Sequence, residues 1–177
     1  MSSVADLDAR PPTTPFGERT GLLVVRLMEI NNISLFRLSK GRVGGTIFGA
    51  PVILLTTSGR TTGTRHTKPL LALEDAGRWV VAGSRGGTTR NPDWYENLVA
   101  LEAEGQQGAG GDWPELAPPE VEAAGGRRLT VRSEVLEDAE REQWWSRLVE
   151  VYPKFDTYQR RAPHRTIPVV GLSPVSH

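Results

Sequence analysis

Three short β-rich segments follow one another between residues 51 and 82 and constrain the fold more than any other feature of the chain. They cover residues 51–57, 67–73 and 79–82, and glycine or aspartate turn residues bound each of them. Segments of this length and composition are typical of strands. A tight turn at residues 75–77 predicts a hairpin, and a longer loop at residues 58–66 joins the first two strands. The sequence therefore predicts an antiparallel meander.

The rest of the chain adds helices and further strands. Asn91 and Asp138 are expected N-caps, Pro92 suits a first helical turn, and Pro168 places the last strand at an edge or a bulge. We expect an α+β fold, mainly β, with about six antiparallel strands. The additional elements are a helix at residues 92–100, a hairpin at 120–124 and 128–136, a helix from 138 to about 152 and a strand at 166–172.

Chain length favours one domain over residues 21–177, preceded by a disordered arm at residues 1–20. Apolar residues at helical spacing predict an amphipathic helix within residues 21–40. Packing on the domain is its ordinary role, and contact with a membrane surface or a partner is the alternative. Residues 101–117 contain much glycine and acid with little periodicity, which indicates a flexible insertion carrying Trp113.

Charge and composition exclude several classes of function. Lys plus Arg and Asp plus Glu number 21 each, so no overall field attracts nucleic acid. The absence of cysteine removes thiolate catalysis, iron–sulfur clusters and disulfides. The three histidines, His66, His164 and His177, show no metal-ligand spacing, so no metal is expected.

The N-terminal residues lack the basic start and apolar run of a signal peptide. No apolar stretch approaches the roughly 18 residues that a membrane-spanning helix needs. These two observations favour a cytoplasmic location, with peripheral membrane association through the N-terminal helix as the variant left open.

The loop at residues 58–68 concentrates cations and small polar residues at a strand end. Glycine-rich turns, hydroxyl groups and guanidinium groups together bind phosphate or carboxylate. A solvated basic turn is the alternative interpretation. The residues in question are Gly59, Arg60, Thr61, Thr62, Gly63, Arg65 and Lys68.

A second loop leaves the third strand and runs into the predicted helix. Ser84 and Arg85 follow the strand, and Gly86 allows a close approach of the backbone to a ligand. An ordinary strand-to-helix connection is the alternative. Trp94 and Tyr95 fit a binding surface and a core position equally well.

Three aromatic residues, Tyr152, Phe155 and Tyr158, recur at a spacing of three and fall on one side of a helical turn. They could wall a pocket, although such residues more often belong to a core. The remaining residues assemble no carboxylate pair, Ser-His-Asp set or metal cluster. Any catalysis would therefore need a cofactor.

Five ordered blocks resemble the deazaflavin-dependent nitroreductase family. They read PVILLTTSGRTTG, TKPL, VVAGSRGG, NPDWYENL and VYPKFDTYQRR followed by RTIPVV. The resemblance extends from about Phe36 to Pro174, apart from the insertion. It implies a flavin-reductase-like split β-barrel that binds coenzyme F-420, an 8-hydroxy-5-deazaflavin, with its anionic tail in a basic groove. It also implies hydride transfer to a conjugated acceptor such as a quinone, a nitro compound or an enone.

The same resemblance assigns roles by position. Arg60 and Arg85 would meet the phosphate or the glutamyl carboxylates, the turn from Gly59 to Gly63 would supply backbone donors, and Arg65 and Lys68 would be nearby substitutes. The block that would lie against the deazaflavin ring contains Asn91, Pro92, Trp94 and Asn97. The residues expected beside the hydride acceptor are Ser84, Tyr152 and Tyr158.

Departures from the family pattern mark expected differences. Thr61 and His66 replace basic residues of the family, which predicts weaker binding of the tail. Leu71 and Phe155 stand where a nitroimidazole- and quinone-reducing relative has tyrosines, which makes the substrate pocket more apolar. The alternatives are an FMN-dependent reductase of the same fold, a non-catalytic deazaflavin-binding protein, and an interaction module whose basic turn is merely solvated.

Overall fold

The computed structural model describes residues 33–47, 49–107 and 116–175. The strands in this part of the chain form one antiparallel sheet in the order β1-β2-β3-β4-β7-β6-β5, and β5 also pairs with β2. Strands β2 to β7 therefore close into a six-stranded barrel, as the sequence predicts. The strands are β1 (Thr46–Ile47), β2 (Ala50–Ser58), β3 (Arg65–Asp75), β4 (Arg78–Ala82), β5 (Glu120–Ala123), β6 (Arg127–Val135) and β7 (Val169–Pro174).

Alternation along the strands separates the barrel interior from its outer surface. On β2, Ile53 and Leu55 belong to the interior, whereas Val52 and Leu54 pack in a separate outer cluster. Full burial of a side chain of this size stabilises the fold by about 1.5–3 kcal/mol. The strand residues of the interior are Ile53, Leu55, Ala72, Trp79, Val81, Val121, Ala123, Val131, Val170 and Leu172.

Helix α1 (Asp93–Gln107) follows β4 and contributes to the same core. Trp94 and Leu98 lie at helical spacing, are buried and join the interior cluster. The Trp94 ring meets Tyr95 edge-on, with 6.2 Å between the ring centroids. The first turns of α1 are therefore fixed by core packing.

Helices α2 (Asp138–Val151) and α3 (Lys154–Arg161) form a second layer outside the barrel. Trp144 and Leu148 of α2 and Phe155 of α3 share a cluster with Val80 of β4 and Val169 of β7. This layer places the aromatic residues of α3 beside the ends of β4 and β7.

Residues 33–38 are helical and lie against β2. Phe36 is buried on Val52 and Leu54, so this part of the predicted N-terminal helix packs on the domain. The preceding residues of that helix and the predicted disordered arm lie outside the described residues. Among those that are described, no helix is long and apolar enough to cross a membrane.

Neither predicted N-cap side chain caps its helix. Helix α1 begins at Asp93, and Asn91 Oδ1 accepts a hydrogen bond from Arg165 Nη1 at 2.8 Å instead. Asp138 is itself the first residue of α2, with φ of +47°, and Glu137 is the N-cap.

The last strand begins three residues later than predicted, immediately after Pro168. Pro168 has no N–H for a strand ladder, but its carbonyl accepts a hydrogen bond from Gly83 N at 2.8 Å.

The predicted insertion at residues 101–117 is partly ordered structure. Helix α1 continues through Gln107, and Leu116 is buried. Leu101 prolongs the apolar spacing of Leu98, so the helix does not stop where glycine becomes frequent. Trp113 lies outside the described residues.

Candidate active site

The turn between β2 and β3 is closed by its own hydrogen bonds. Gly59 N donates to Thr64 O at 2.8 Å, and the amides of Thr62 and Gly63 donate to Gly59 O at 3.1 and 2.7 Å. Thr64 N donates to Thr62 Oγ1 at 3.3 Å. Closing the turn therefore engages most of the backbone amides from Gly59 to Gly63 within the protein, and the contact of this turn with an anion stays a prediction.

Asn97 joins this turn to helix α1. The side chain is 5% exposed, its Oδ1 accepts from Arg60 N at 3.1 Å, and its Nδ2 donates to Thr57 Oγ1 at 3.0 Å. Both ends of the amide are thus used within the protein. Asn97 fixes where the Arg60 backbone lies, which is a structural role beside the predicted binding role.

Among the predicted cations of this turn, Arg60 and Arg65 differ sharply. The Arg60 side chain is exposed and pairs with no described residue. Arg65 instead donates to the carbonyls of Ala117 and Pro118 at 3.3 and 2.7 Å and forms an ion pair with Glu120 at 3.1 Å. Arg65 therefore anchors the segment before β5, which argues against its use as a substitute cation in the groove.

The other polar residues of this region lie on the surface. Thr61 and Thr62 are exposed in the turn. His66 and Lys68 are exposed on β3, opposite Thr57 and Leu55 respectively. The described residues contain no group of three or more His, Cys, Asp or Glu placed to hold a metal ion.

The connection from β4 to α1, residues 83–91, has an unusual backbone. Arg85, Gly86 and Gly87 have φ values of +45°, +66° and +80°, a left-handed run that only glycine adopts without strain. Arg85 Nη1 donates to Asn91 O at 2.9 Å and lies 4.0 Å from the Asp93 carboxylate. The Arg85 side chain is 44% exposed, so the guanidinium remains accessible at the surface.

Arg165 holds this connection, although the sequence assigned it no role. Its Nε donates to Thr88 O at 3.1 Å, its Nη2 to Ser84 O at 2.9 Å, and its Nη1 to Gly83 O at 3.3 Å and to Asn91 Oδ1 at 2.8 Å. Burial and the nearby positive charge of Arg85 lower the Arg165 pKa. In the sequence, the one feature that pointed to Arg165 was its position in the RTIPVV block.

The ring-facing residues predicted around α1 are largely internal. Pro92 is buried, and Trp94, at 6% exposure, is part of the barrel core. Asn91 is half-buried, and Arg165 and Arg85 bind its side chain and its carbonyl respectively. Trp94 thus follows the core interpretation left open by the sequence.

Tyr152, Phe155 and Tyr158 meet in one cluster, as predicted from their spacing. The hydroxyls of Tyr152 and Tyr158 lie 3.3 Å apart, and both rings contact Phe155 in edge-on geometry. Burial and the hydrogen bond with Tyr158 raise the pKa of Tyr152 to about 12. The Phe155 ring is only 5% exposed, so Phe155 mainly supports the two tyrosines.

Helix α3, which carries Phe155 and Tyr158, packs against the 83–91 connection through the backbone of Tyr158. A side chain at Gly87 would come within 2.7 Å of Tyr158 O and 2.9 Å of its Cα, so only glycine permits this approach. Leu71 packs against the same apolar cluster from β3. Ser84, half-buried at the start of the connection, directs its carbonyl to Gly87 N and Arg165.

Comparison with known proteins decides the family. The model described as F420H(2)-dependent quinone reductase matches residues 29–104 and 116–174. The chain belongs to this family. The resemblance stated from the sequence blocks is confirmed. Between its two matched segments the family match omits residues 105–115, which lie within the predicted insertion at 101–117.

Two relatives from Mycobacterium tuberculosis strain H37Rv show the extent of the similarity. Rv3178, which carries the family's name, is 32% identical over 127 residues, covering 70% of this chain and 90% of the relative. The F420H(2)-dependent quinone reductase Rv1261c is 36% identical over 77 residues, covering 43% of this chain and 51% of the relative. The chain thus spans about half the length of several curated relatives that it matches.

Two solved structures share the fold of the family. The F420-H2 dependent reductase FDR-A is 30% identical, with a TM-score of 0.55, and the match covers 70% of this chain and 94% of that one. A protein described as a domain-swapped dimer is 27% identical, with a TM-score of 0.56 and coverage of 81% and 96%.

Proposed function

We propose that this protein transfers a hydride from reduced coenzyme F-420 to a small conjugated acceptor, a quinone in the first instance. The observation that carries the proposal is the contact between Gly87 and Tyr158. It brings the connection that bears Arg85 against the cluster that bears Tyr152 and Tyr158, although about seventy residues separate them in sequence. In this proposal the loop that binds the cofactor and the residues that hold the acceptor are neighbours, as hydride transfer requires.

The accessible cations fit the anionic tail of the cofactor. Arg60 is exposed and pairs with no described residue, and Arg85 keeps part of its guanidinium accessible. The backbone of Arg60 is held by Asn97, and the side chain of Arg85 is held by its hydrogen bond to Asn91 O. Guanidinium groups held in this way form strong charge-assisted hydrogen bonds with phosphate and carboxylate. Lys68, exposed on β3, is the third candidate.

When bound, the reduced deazaflavin would supply the hydride. The chain's own residues would bind the tail, hold the acceptor and provide a proton. Tyr152 is protonated at neutral pH, as tyrosines ordinarily are, and burial together with the hydrogen bond to Tyr158 raises its pKa further, to about 12. Its hydroxyl lies 3.3 Å from that of Tyr158, and we assign this pair of hydroxyls the role of donor to an acceptor oxygen.

Apolar side chains around the tyrosines favour an apolar acceptor. Leu71 and Phe155 belong to the cluster beside Tyr152, in place of two tyrosines expected from a quinone- and nitroimidazole-reducing relative. This composition suits a planar conjugated ring better than a polar nitroimidazole.

A cofactor titration tests the proposal. We expect the fluorescence of the protein or of F-420 to be quenched saturably when the two bind. F-420 should bind at least about tenfold more tightly than FMN, which is a difference of about 1.4 kcal/mol. Equal binding of the two cofactors would favour an FMN-dependent reductase. Binding of F-420 with no turnover of any quinone would instead indicate a cofactor carrier.

A further inference from the structure

Arg165 contacts both ends of the 83–91 connection with one guanidinium group. Its acceptors are the carbonyls of Gly83, Ser84 and Thr88 and the side chain of Asn91. All four acceptors are uncharged, and in the described part of the chain no carboxylate pairs with Arg165. A partly buried cation normally finds an acidic partner, because desolvation of an unpaired charge costs free energy. The Arg165 guanidinium therefore serves to hold this connection rather than to neutralise a carboxylate.

The connection that Arg165 holds is strained and carries a second cation. Arg85 has a φ of +45°, and the two glycines after it are also left-handed. Such backbone persists only where its surroundings determine it from several sides. Arg85 and Arg165 bind the same residue, Asn91, one through its carbonyl and the other through its side chain. Two like charges are thus brought to one residue, and among the described residues the carboxylate nearest to Arg85, that of Asp93, lies 4.0 Å away.

Gln159 in turn holds Arg165. Its Nε2 donates to Arg165 O at 2.7 Å and to Ala162 O at 3.2 Å, and its Oε1 accepts from Ile167 N at 2.8 Å. Gln159 follows Tyr158 in α3, so the clamp is built on the same helix as the acceptor cluster.

We propose that Arg165 is a positioning residue that fixes the 83–91 connection so that Arg85 meets the anionic tail of the cofactor. The proposal rests on the proposed function. It assigns Arg165 no contact with the cofactor, and its effect is exerted through Ser84, Arg85 and Asn91. An anion bound at Arg85 would also offset the repulsion between the two guanidinium groups.

Two substitutions separate geometry from charge. Arg165→Met removes the hydrogen-bond donors and the positive charge, whereas Arg165→Lys keeps the charge but replaces a planar five-donor group by an ammonium with three donors. If position is what matters, Arg165→Lys resembles Arg165→Met. Arg160→Met is the matched control, because Arg160 is an exposed arginine of α3 that pairs with Asp156 and Thr157.

The first measurement is binding of two ligands, F-420 with its full tail and the deazaflavin riboside that lacks phosphate. We expect both Arg165 variants to bind F-420 about ten- to a hundredfold more weakly, with riboside affinity within about twofold of the parent protein. Arg160→Met should match the parent protein with both ligands. Unchanged F-420 binding, equal weakening of both ligands, or recovery by Arg165→Lys would each overturn the proposal.

The second measurement needs no cofactor. Amide hydrogen exchange of residues 83–91 should be faster in both Arg165 variants than in the parent protein and in Arg160→Met. Unchanged amide exchange in these residues would contradict the proposal that Arg165 holds the connection. Failure of the parent protein to bind F-420 would defeat the proposed function instead, so the two failures are distinguishable. Should Arg165→Met not fold, Gln159→Leu tests the same clamp from the other side and should show the same selective loss of F-420 binding.

Discussion

The hydroxyl groups of Tyr152 and Tyr158 lie 3.3 Å apart, beside a connection whose backbone approaches Tyr158 so closely that only glycine fits at residue 87. Either hydroxyl can donate to the other. In the proposed function this pair orients an acceptor oxygen and protonates it.

Removal of either hydroxyl should reduce turnover more than stability. Tyr152→Phe and Tyr158→Phe keep the ring and its burial, so each should lower the free energy of unfolding by at most about 0.5–1.5 kcal/mol. We expect kcat/KM for a quinone to fall by about a hundredfold in Tyr152→Phe, the low end of general acid catalysis, with cofactor affinity unchanged. Steady-state kinetics with melting curves of both variants measure this. A loss of stability without a loss of kcat/KM would show that the two tyrosines only contribute to packing.

Alkaline pH should reveal the raised pKa of Tyr152. Burial and Tyr158 raise it from 10.0 to about 12, so above about pH 10 the unfolded chain loses a proton that the folded chain retains. The contribution of Tyr152 to the free energy of unfolding is therefore fully present below about pH 10 and declines as the pH rises toward about 12. Urea unfolding from about pH 9 to about pH 11 should show a shallower decline in Tyr152→Phe than in the parent protein. An identical pH dependence of stability in the two proteins would contradict a raised pKa of Tyr152.

The accessible arginines should control affinity for the cofactor tail. Arg60→Ala and Arg85→Ala should each weaken F-420 binding by about 1–3 kcal/mol, the range of charge-assisted hydrogen bonds, and Thr61→Lys should strengthen it. Arg147→Ala, on the outer face of α2 against Trp144, is a control expected to leave binding unchanged. Isothermal titration with cofactors of different glutamate tail length provides the measurement. If neither these three substitutions nor the length of the glutamate tail changes the affinity, the groove that binds the tail lies elsewhere.

The insertion should tolerate deletion only within narrower limits than the sequence predicts. Replacing residues 108–115 by a short flexible linker should change the melting temperature little, because surface loop length costs little free energy. Removing residues 101–117 should destabilise the protein, because it deletes the last turns of α1, the buried Leu116 and the Ala117 carbonyl bound by Ser58 and Arg65. Thermal unfolding of the two deletion variants decides the point. Equal melting temperatures would contradict the observed packing.

Local patterns predicted most of the fold. The short β-rich composition of residues 51–57, 67–73 and 79–82 and the turn residues between them were sufficient to place these strands, because these signals act between neighbours in sequence. The resemblance to a known family then supplied closure of the barrel. Helix starts were less predictable, since Asn91 and Asp138 suit an N-cap, but tertiary contact with Arg165 draws the first away.

The candidate site was harder to predict because long-range hydrogen bonds decide which polar groups stay available. Asn97 binds Arg60 N across 37 residues and Thr57 across 40, and Arg65 reaches Pro118 across 53. Arg165 reaches the 83–91 connection across 74 to 82 residues. A basic, glycine-rich turn is visible in a sequence, whereas the partners that consume its donors are not. The assignment of the remaining donors to the cofactor stays a prediction.

Anaerobic turnover of reduced F-420 with a quinone tests the central claim most directly. The recovery of the oxidised deazaflavin absorbance, followed together with hydroquinone formation, reports hydride transfer itself. We expect enzyme-dependent, saturable turnover with equal amounts of oxidised cofactor and hydroquinone, and much slower turnover with reduced FMN in its place. No turnover with F-420 above the rate without enzyme, or faster turnover with FMN, would contradict the account.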